Sequence, residues 1–387
     1  AWRYVASHKV NTGILVASLT LILFLPAGLQ VLVAQSETAM TARAEATPLL
    51  VGLKGSPIEL VLSSLYFEGD VPETTTHAEV TRIADSGFAT PIPLYVRFTA
   101  GPDPIVGTTL DYFPFRGLRL AGGRMMARLG DCVLGANVAQ RRRAEEPGLT
   151  HVISSPESVF DLAGVYPLKM RVTGTLAPTG GPDDDAIFCD VKTTWIIQGL
   201  GHGHDDLTKP ENAPGVISRE GNTIRANASV VQFNEITEEN VESFHFHGST
   251  DEFPVTAVLA LPYSTKDKTL LMGRYQAPDE RQQVLEPAFV VEELLDTVVT
   301  VKGYVVAALL IVGIATLAVA ALVFLLSLRL RRREIQTMVK IGGSRPRVTA
   351  VLLSEVVWVL ALAIACAIVL TAVTAWYGAD ALRTLLA

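Results

Sequence analysis

Residues 303–347 read GYVVAALLIVGIATLAVAALVFLLSLRLRRREIQTMVKIGGSRPR. Residues 303–328 hold no charged side chain, and an uncharged helix of ~20 residues is long enough to cross a ~30 Å hydrocarbon core. The run gives way to Arg329, Arg331, Arg332, Arg333, Lys340, Arg345 and Arg347, with Glu334 as the one acid among them. A short loop so rich in arginine is expected on the cytoplasmic side of the membrane. Working outward, GILVASLTLILFLPAGLQVLVA at 13–34 carries no charge. The segment 348–377 is broken only by Glu355 and closed by Trp376 and Tyr377, side chains suited to a membrane interface. Three spans follow, with Arg3 and Lys9 inside and both the long middle segment and the C-terminus outside. Pro26 predicts a kink in the first span. A cleaved leader ending at Ala34 fits less well, because Leu32 is large for a cleavage site and the apolar run exceeds a typical leader core. An uncleaved anchor is expected.

Composition agrees. Of 387 residues, 49% are hydrophobic and 18% charged, with a mean hydropathy of +0.34, which points to a membrane protein. The net charge of −7 gives no basic footprint for nucleic acid. Nearly all acids lie in the middle segment, since only Glu334, Glu355 and Asp380 fall outside it. Three cysteines make no metal knuckle. Cys132 and Cys189 fall in the outer segment, where a bridge is neither demanded nor excluded, and Cys366 falls within the third span as a small apolar side chain.

The middle segment opens with QSETAMTARAEA, able to continue the first span as helix, and ends with FVVEELLDTVVTVK, an amphipathic stripe leading into the second. Two such helices make a stalk. Ser56, Pro57 and Glu59 form a capping box with proline at the first helical position. PIPLYVRFTA, YPLKMRVTGTLAP, TIRANASVVQF and FPVTAVLALP read as strands. Gly180-Gly181-Pro182-Asp183-Asp184-Asp185 reads as a solvated turn rather than a cation loop, lacking EF-hand spacing. The expected fold is three transmembrane α-helices plus a large α+β extracytoplasmic domain on a helical stalk. Its layout is an N-terminal segment and first span (1–34), the outer domain (35–287), a stalk helix (288–302), the second span (303–328), a cytoplasmic loop (329–347), the third span (348–377) and a tail (378–387).

Four of the seven histidines fall in two pairs, His202 and His204 in GHGHDD, His245 and His247 in SFHFHGSTDE. On a strand, His-x-His turns both imidazoles to one face while Phe244 and Phe246 face the other way. The pairs bracket a polar insertion and could meet as a tetrahedral shell for zinc. The alternative, a loop and a strand without metal, stays open on sequence alone. His8, His77 and His151 are isolated and read as ordinary surface residues.

LVGLKGSPIELVLSSLYF (50–67), DPIVGTTLDYF (103–113), CVLGANVA (132–139), VTGTLAPTGGPDDDAIFCDVKTTWIIQG (172–199) and REIQTMVKIGGSRPRVTAVLLSEVVWVLAL (333–362) together resemble the MacB/FtsX-type permeases of ABC transporters. The resemblance implies a MacB-like periplasmic core on a stalk, the bacterial inner membrane, and a cytoplasmic ABC ATPase subunit docking on the loop after the second span. The residues of that loop agree. Ile335, Met338, Val339 and Gly342 stand at i, i+3, i+4 and i+7, an apolar face able to enter a partner's groove. Arg333, Glu334, Ile335, Met338, Val339, Ile341 and Gly342 are the expected coupling residues. Gly342-Gly343 stops one helix and Pro346 opens the next. A basic loop that only sets topology or touches membrane lipid is the plainer alternative. The family usually has a fourth span, whereas DALRTLLA alone follows the third, so a three-span variant and a shortened sequence both stay open.

No GxxxxGK[ST] occurs in the chain, so the phosphate cradle of an ATPase is absent and ATP hydrolysis is expected in the partner, not here. The expected assembly is a homodimer or heterodimer of permeases with two ATPases. Glu355, an acid inside a span, is a functional candidate, read as a structural ion pair reaching Arg345. The rival class is a membrane-anchored metal-binding or sensor protein that transports nothing. A secreted hydrolase lacks support, since GxSxG and HExxH are both missing.

Overall fold

The computed structural model describes residues 9–155, 167–204, 216–220, 223–226, 233–330, 336–337, 340 and 344–386. The chain divides into two compact units, Thr41–Glu292 and the helical segments on either side of it.

In the helical unit, α1 runs over Lys9–Glu45 and carries Pro26 within it. Its polar continuation past residue 34 is helical, as the composition of QSETAMTARAEA predicts. Two helices among the described residues, Gly13–Glu45 and Val356–Tyr377, are long and apolar enough to cross a membrane, and Gly303–Val319 is a shorter apolar helix. Much of their apolar surface is uncovered: Ile14 is 61% exposed and Ile311 69%. Thr20 Oγ1 donates to the carbonyl of Ala363 at 3.3 Å and Gln35 Nε2 to that of Ala375 at 2.7 Å. Partners rise together along both segments, so the two helices run parallel.

Between these helices the chain forms β1 (Leu49–Leu53), α2 (Pro57–Val61), β2 (Thr75–Thr76), α3 (Ala78–Ser86), β3 (Ala89–Ala100), β4 (Asp103–Thr108), α4 (Tyr112–Phe115), β5 (Leu120–Gly123), β6 (Asp131–Leu134), α5 (Ala136–Glu145), β7 (His151–Ile153) and β8 (Lys169–Leu176). There follow β9 (Ile187–Asp190), α6 (Val191–Ile197), β10 (Gly201–Gly203), β11 (Val216–Glu220), β12 (Thr223–Ala226), β13 (Phe244–Phe246), β14 (Pro254–Val255), β15 (Ala257–Pro262), α7 (Thr265–Arg274) and β16 (Gln282–Leu285). The last two helices are α8 (Pro287–Leu330), in which stalk and apolar run are one unbroken element, and α9 (Arg345–Leu386). A Cβ added to Gly313 of α8 would meet Ile22 of α1 at 3.2 Å. The tail expected at 378–387 is not separate, because α9 continues through it to Leu386.

The domain is built on one mixed sheet in the order β16-β1-β15-β3-β4-β9-β6-β8-β5, with β7 also on β8. β4–β9 and β6–β8 are its parallel pairs. β3 holds Pro91 and Pro93, which cannot donate to a ladder. They are accommodated because residues 89–94 pair only with β15, whereas β4 pairs only with residues from Tyr95 onward. The core is aromatic, with Trp195, Tyr95, Tyr112, Phe98 and Phe188 all fully buried. Ser56 caps α2 as its sequence predicts, its hydroxyl accepting from the Glu59 amide.

Two of the three aspartates in the turn at 180–185 are not solvated. Asp183 and Asp184 are 3% and 2% exposed, and every carboxylate of the triplet is satisfied by protein donors. Asp183 takes both guanidinium nitrogens of Arg43, at 2.6 and 3.0 Å, and the Tyr112 hydroxyl at 2.7 Å. Asp184 accepts from the amides of Thr179 and Gly180. Asp185 accepts from Asn137 and Arg141. Gly135 lets this turn close against β6, since a Cβ there would lie 2.4 Å from the carbonyl oxygens of Asp183 and Asp184.

Candidate metal centre

β10 and β13 form a two-stranded antiparallel ribbon in which Gly201 faces Phe246, His202 faces His245 and Gly203 faces Phe244. Alternation sends the two glycines and two phenylalanines to one side and the histidines to the other. The glycines are required for this packing, because a Cβ at Gly201 or Gly203 would stand 2.6 Å from the ring of Phe246 or Phe244. Beneath the ribbon, Trp195 makes edge-on contacts with Phe246 at 6.3 Å and Phe253 at 5.1 Å. The indole is anchored by its N–H donating to the Pro254 carbonyl at 2.8 Å. The ribbon thus has an aromatic floor and an imidazole roof.

On that roof the four histidines predicted from sequence meet. Ring centroids lie 5.6 Å apart for His202 and His204, 4.9 Å for His202 and His245, 4.8 Å for His202 and His247, 5.2 Å for His204 and His245, and 4.9 Å for His245 and His247. One ring nitrogen each of His202, His204 and His245 falls within 4.8 Å of the others. Zinc takes imidazole nitrogens at ~2.0–2.1 Å, and these are the rings that would supply them.

Electrostatics favour the ligand form. Burial, followed by the neighbouring rings of His245, His247 and His204, pushes the His202 pKa down to about 4, so His202 is neutral at physiological pH. His245 Nδ1 lies 2.9 Å from the Ser243 carbonyl. A carbonyl can only accept, so Nδ1 carries a proton and Nε2 is the nitrogen left to bind a metal, the orienting contact usual behind a metal-bound imidazole. An all-nitrogen donor set suits borderline divalent ions such as zinc rather than calcium or magnesium, which prefer oxygen. The residues present therefore fit the metal expected from sequence.

Other predicted positions behave differently. The coupling residues Arg333, Glu334, Ile335, Met338, Val339, Ile341 and Gly342 lie outside the described residues, as does His8. Glu355 stands on α9. His77 and His151 are not ordinary surface residues. The His77 ring packs edge-on against Trp195 at 5.3 Å, and His151 Nε2 lies 3.1 Å from Glu235; each is half-buried by folding contacts that linear isolation could not reveal. Three features escaped the sequence reading: the Arg43–Asp183–Tyr112 cluster, Asp131 held by Arg171 and Arg124, and Asp103 held by Arg141 and Arg142. None of the three could be found from spacing, because each carboxylate has at least one arginine partner far away in the chain.

No family model matches the sequence, and no curated protein matches it. Among solved structures, the extracellular domain of the ABC-type transporter YknZ from Gram-positive bacteria is similar at 10% identity and a TM-score of 0.33, covering 61% of this chain and 98% of that one. The periplasmic region of MacB from Actinobacillus actinomycetemcomitans is similar at 10% identity and a TM-score of 0.35, covering 65% and 94%.

Proposed function

We propose that the chain is the permease subunit of an ABC-type transporter, driven by a separate ATPase, whose extracytoplasmic domain binds a borderline divalent metal, zinc fitting best. The observation that carries this reading is the meeting of His202, His204, His245 and His247 on one face of a domain joined to apolar segments by the unbroken helices α1 and α8. The motifs at 172–199 and 333–362, whose resemblance is to MacB/FtsX-type permeases, support the transporter class.

The direction of the helices supports three spans. α1 and α9 run parallel, and two parallel spans need an odd number of crossings between them. The apolar run of α8 supplies one. The basic elbow at 329–347 then lies in the cytoplasm, where ATP-driven approach of two ATPase subunits would draw two copies of the chain together. Movement reaches the outer domain only if the ATPase binds its two states with different affinity.

Two measurements test the reading. Calorimetric titration of the purified full chain with zinc should show binding that falls by at least ~100-fold in a His202→Ala/His245→Ala variant, consistent with loss of half a tetrahedral shell. Undiminished affinity removes the metal from the proposal. Purification in mild detergent should bring down an ATPase. Zinc binding with no ATPase at any stage would favour the membrane-anchored sensor instead.

A further inference from the structure

Cys132 on β6 and Cys189 on β9 are far apart in sequence, yet they are directly opposed partners across an antiparallel ladder. The ladder's hydrogen bonding fixes their spacing. The Gly135 amide donates to the Ala186 carbonyl at 2.9 Å, in the same register as Val133 with Phe188 and Cys132 with Cys189. Antiparallel pairs alternate, so Gly135–Ala186 and Val133–Phe188 are hydrogen-bonded pairs and Cys132–Cys189 is a non-hydrogen-bonded one. Opposed residues of that kind have Cα atoms about 4.5 Å apart with side chains turned to one face, inside the ~4.4–6.8 Å that a disulfide spans. Both thiols are 0% exposed within the same core.

We propose that Cys132 and Cys189 form a cross-strand disulfide that is closed while the domain folds. It goes beyond the proposed function and shares with it only the placement of this domain in an oxidising compartment. The chemistry is thiol–disulfide exchange. A disulfide-carrying oxidoreductase is attacked by one cysteine as thiolate, and the second cysteine then displaces the mixed disulfide. The protein loses two protons and two electrons and gains one S–S bond, while the donor leaves as a dithiol. The timing follows from burial, which pushes the Cys132 thiol up to about 12 and the Cys189 thiol well above its ordinary range. Once β6 and β9 are zipped, neither sulfur is exposed or ionised enough to exchange, so the bond forms before the core closes and is protected thereafter. It would tie the β9–α6 segment, which supports Trp195, to the middle of the sheet.

The test is a thiol count on the full chain. Cells are lysed in N-ethylmaleimide, and the purified protein is denatured in the same reagent and weighed. One adduct, on Cys366, is expected before reduction and three after it, with a peptide joining Cys132 to Cys189. A Cys132→Ser variant should show two adducts without reduction. Three adducts on the unreduced wild type overturn the bridge. A Lys266→Cys variant treated in intact cells with a membrane-impermeant maleimide separates the causes of such a failure. Labelling there with three free thiols overturns the bridge alone, whereas no labelling overturns the outer placement and the bridge with it.

Discussion

Arg43 and Asp183 meet almost out of contact with water, at 9% and 4% side-chain exposure. Burial alone would raise the Asp183 pKa, but the hydrogen bond and charge of Arg43 outweigh it and hold the carboxyl below its ordinary value. Removing one partner of such a pair strands the other, at a cost of about 3–5 kcal/mol. Arg43→Met and Asp183→Asn should each destabilise the domain by roughly that much in denaturant titrations, and Tyr112→Phe by about 1 kcal/mol. The pH dependence has a definite sign. An aspartate whose folded pKa is depressed contributes stability that is whole above the unfolded value of about 4 and is lost as pH falls through the folded one. Asp131 is depressed in the same sense, where the Arg171 bond outweighs burial. The unfolding midpoint should therefore hold steady from neutrality to about pH 4 and drop below it, with a shallower drop in Asp183→Asn. Three adjacent aspartates look soluble in one dimension. The burial of Asp183 was illegible because the arginine that pairs with it arrives from the far end of α1.

At the scale of elements, the paired histidines were legible because a period of two is a local property. His-x-His fixes a face on any strand, and Gly-His-Gly-His leaves no other way to seat Phe244 and Phe246. Gly201→Ala or Gly203→Ala should disturb the ribbon by about 1–3 kcal/mol through overpacking and weaken zinc binding, although neither residue can touch metal. Titration of either variant beside a Gly273→Ala control, where a Cβ meets open space, checks this. The capping box and the strands at 91–100 and 169–176 were legible for the same local reason. The order of the sheet was not. Which strand neighbours β9 depends on contacts between segments distant in sequence, and no pattern within either strand encodes it.

For the whole molecule, hydropathy and charge asymmetry outline candidate membrane segments before any fold is known, while the parallel run of α1 and α9 adds a constraint that hydropathy cannot give. The elbow yields the sharpest prediction at this scale. Ile335→Asp with Met338→Asp should abolish ATP-dependent activity of the assembled transporter while insertion into the membrane is unchanged, measured by membrane fractionation beside activity. Normal activity in that variant would remove the lever. Labelling that finds the elbow on the outer face would remove the topology as well.

The floor of the histidine ribbon carries its own optical reporter. The chain has four tryptophans, and Trp195 alone falls between residues 41 and 292. Paramagnetic nickel or copper held by the imidazoles would sit one strand's thickness from that indole and quench its emission. Subtracting the spectrum of a Trp195→Phe variant isolates the signal, so loading of the ribbon can be followed in real time without attaching a dye.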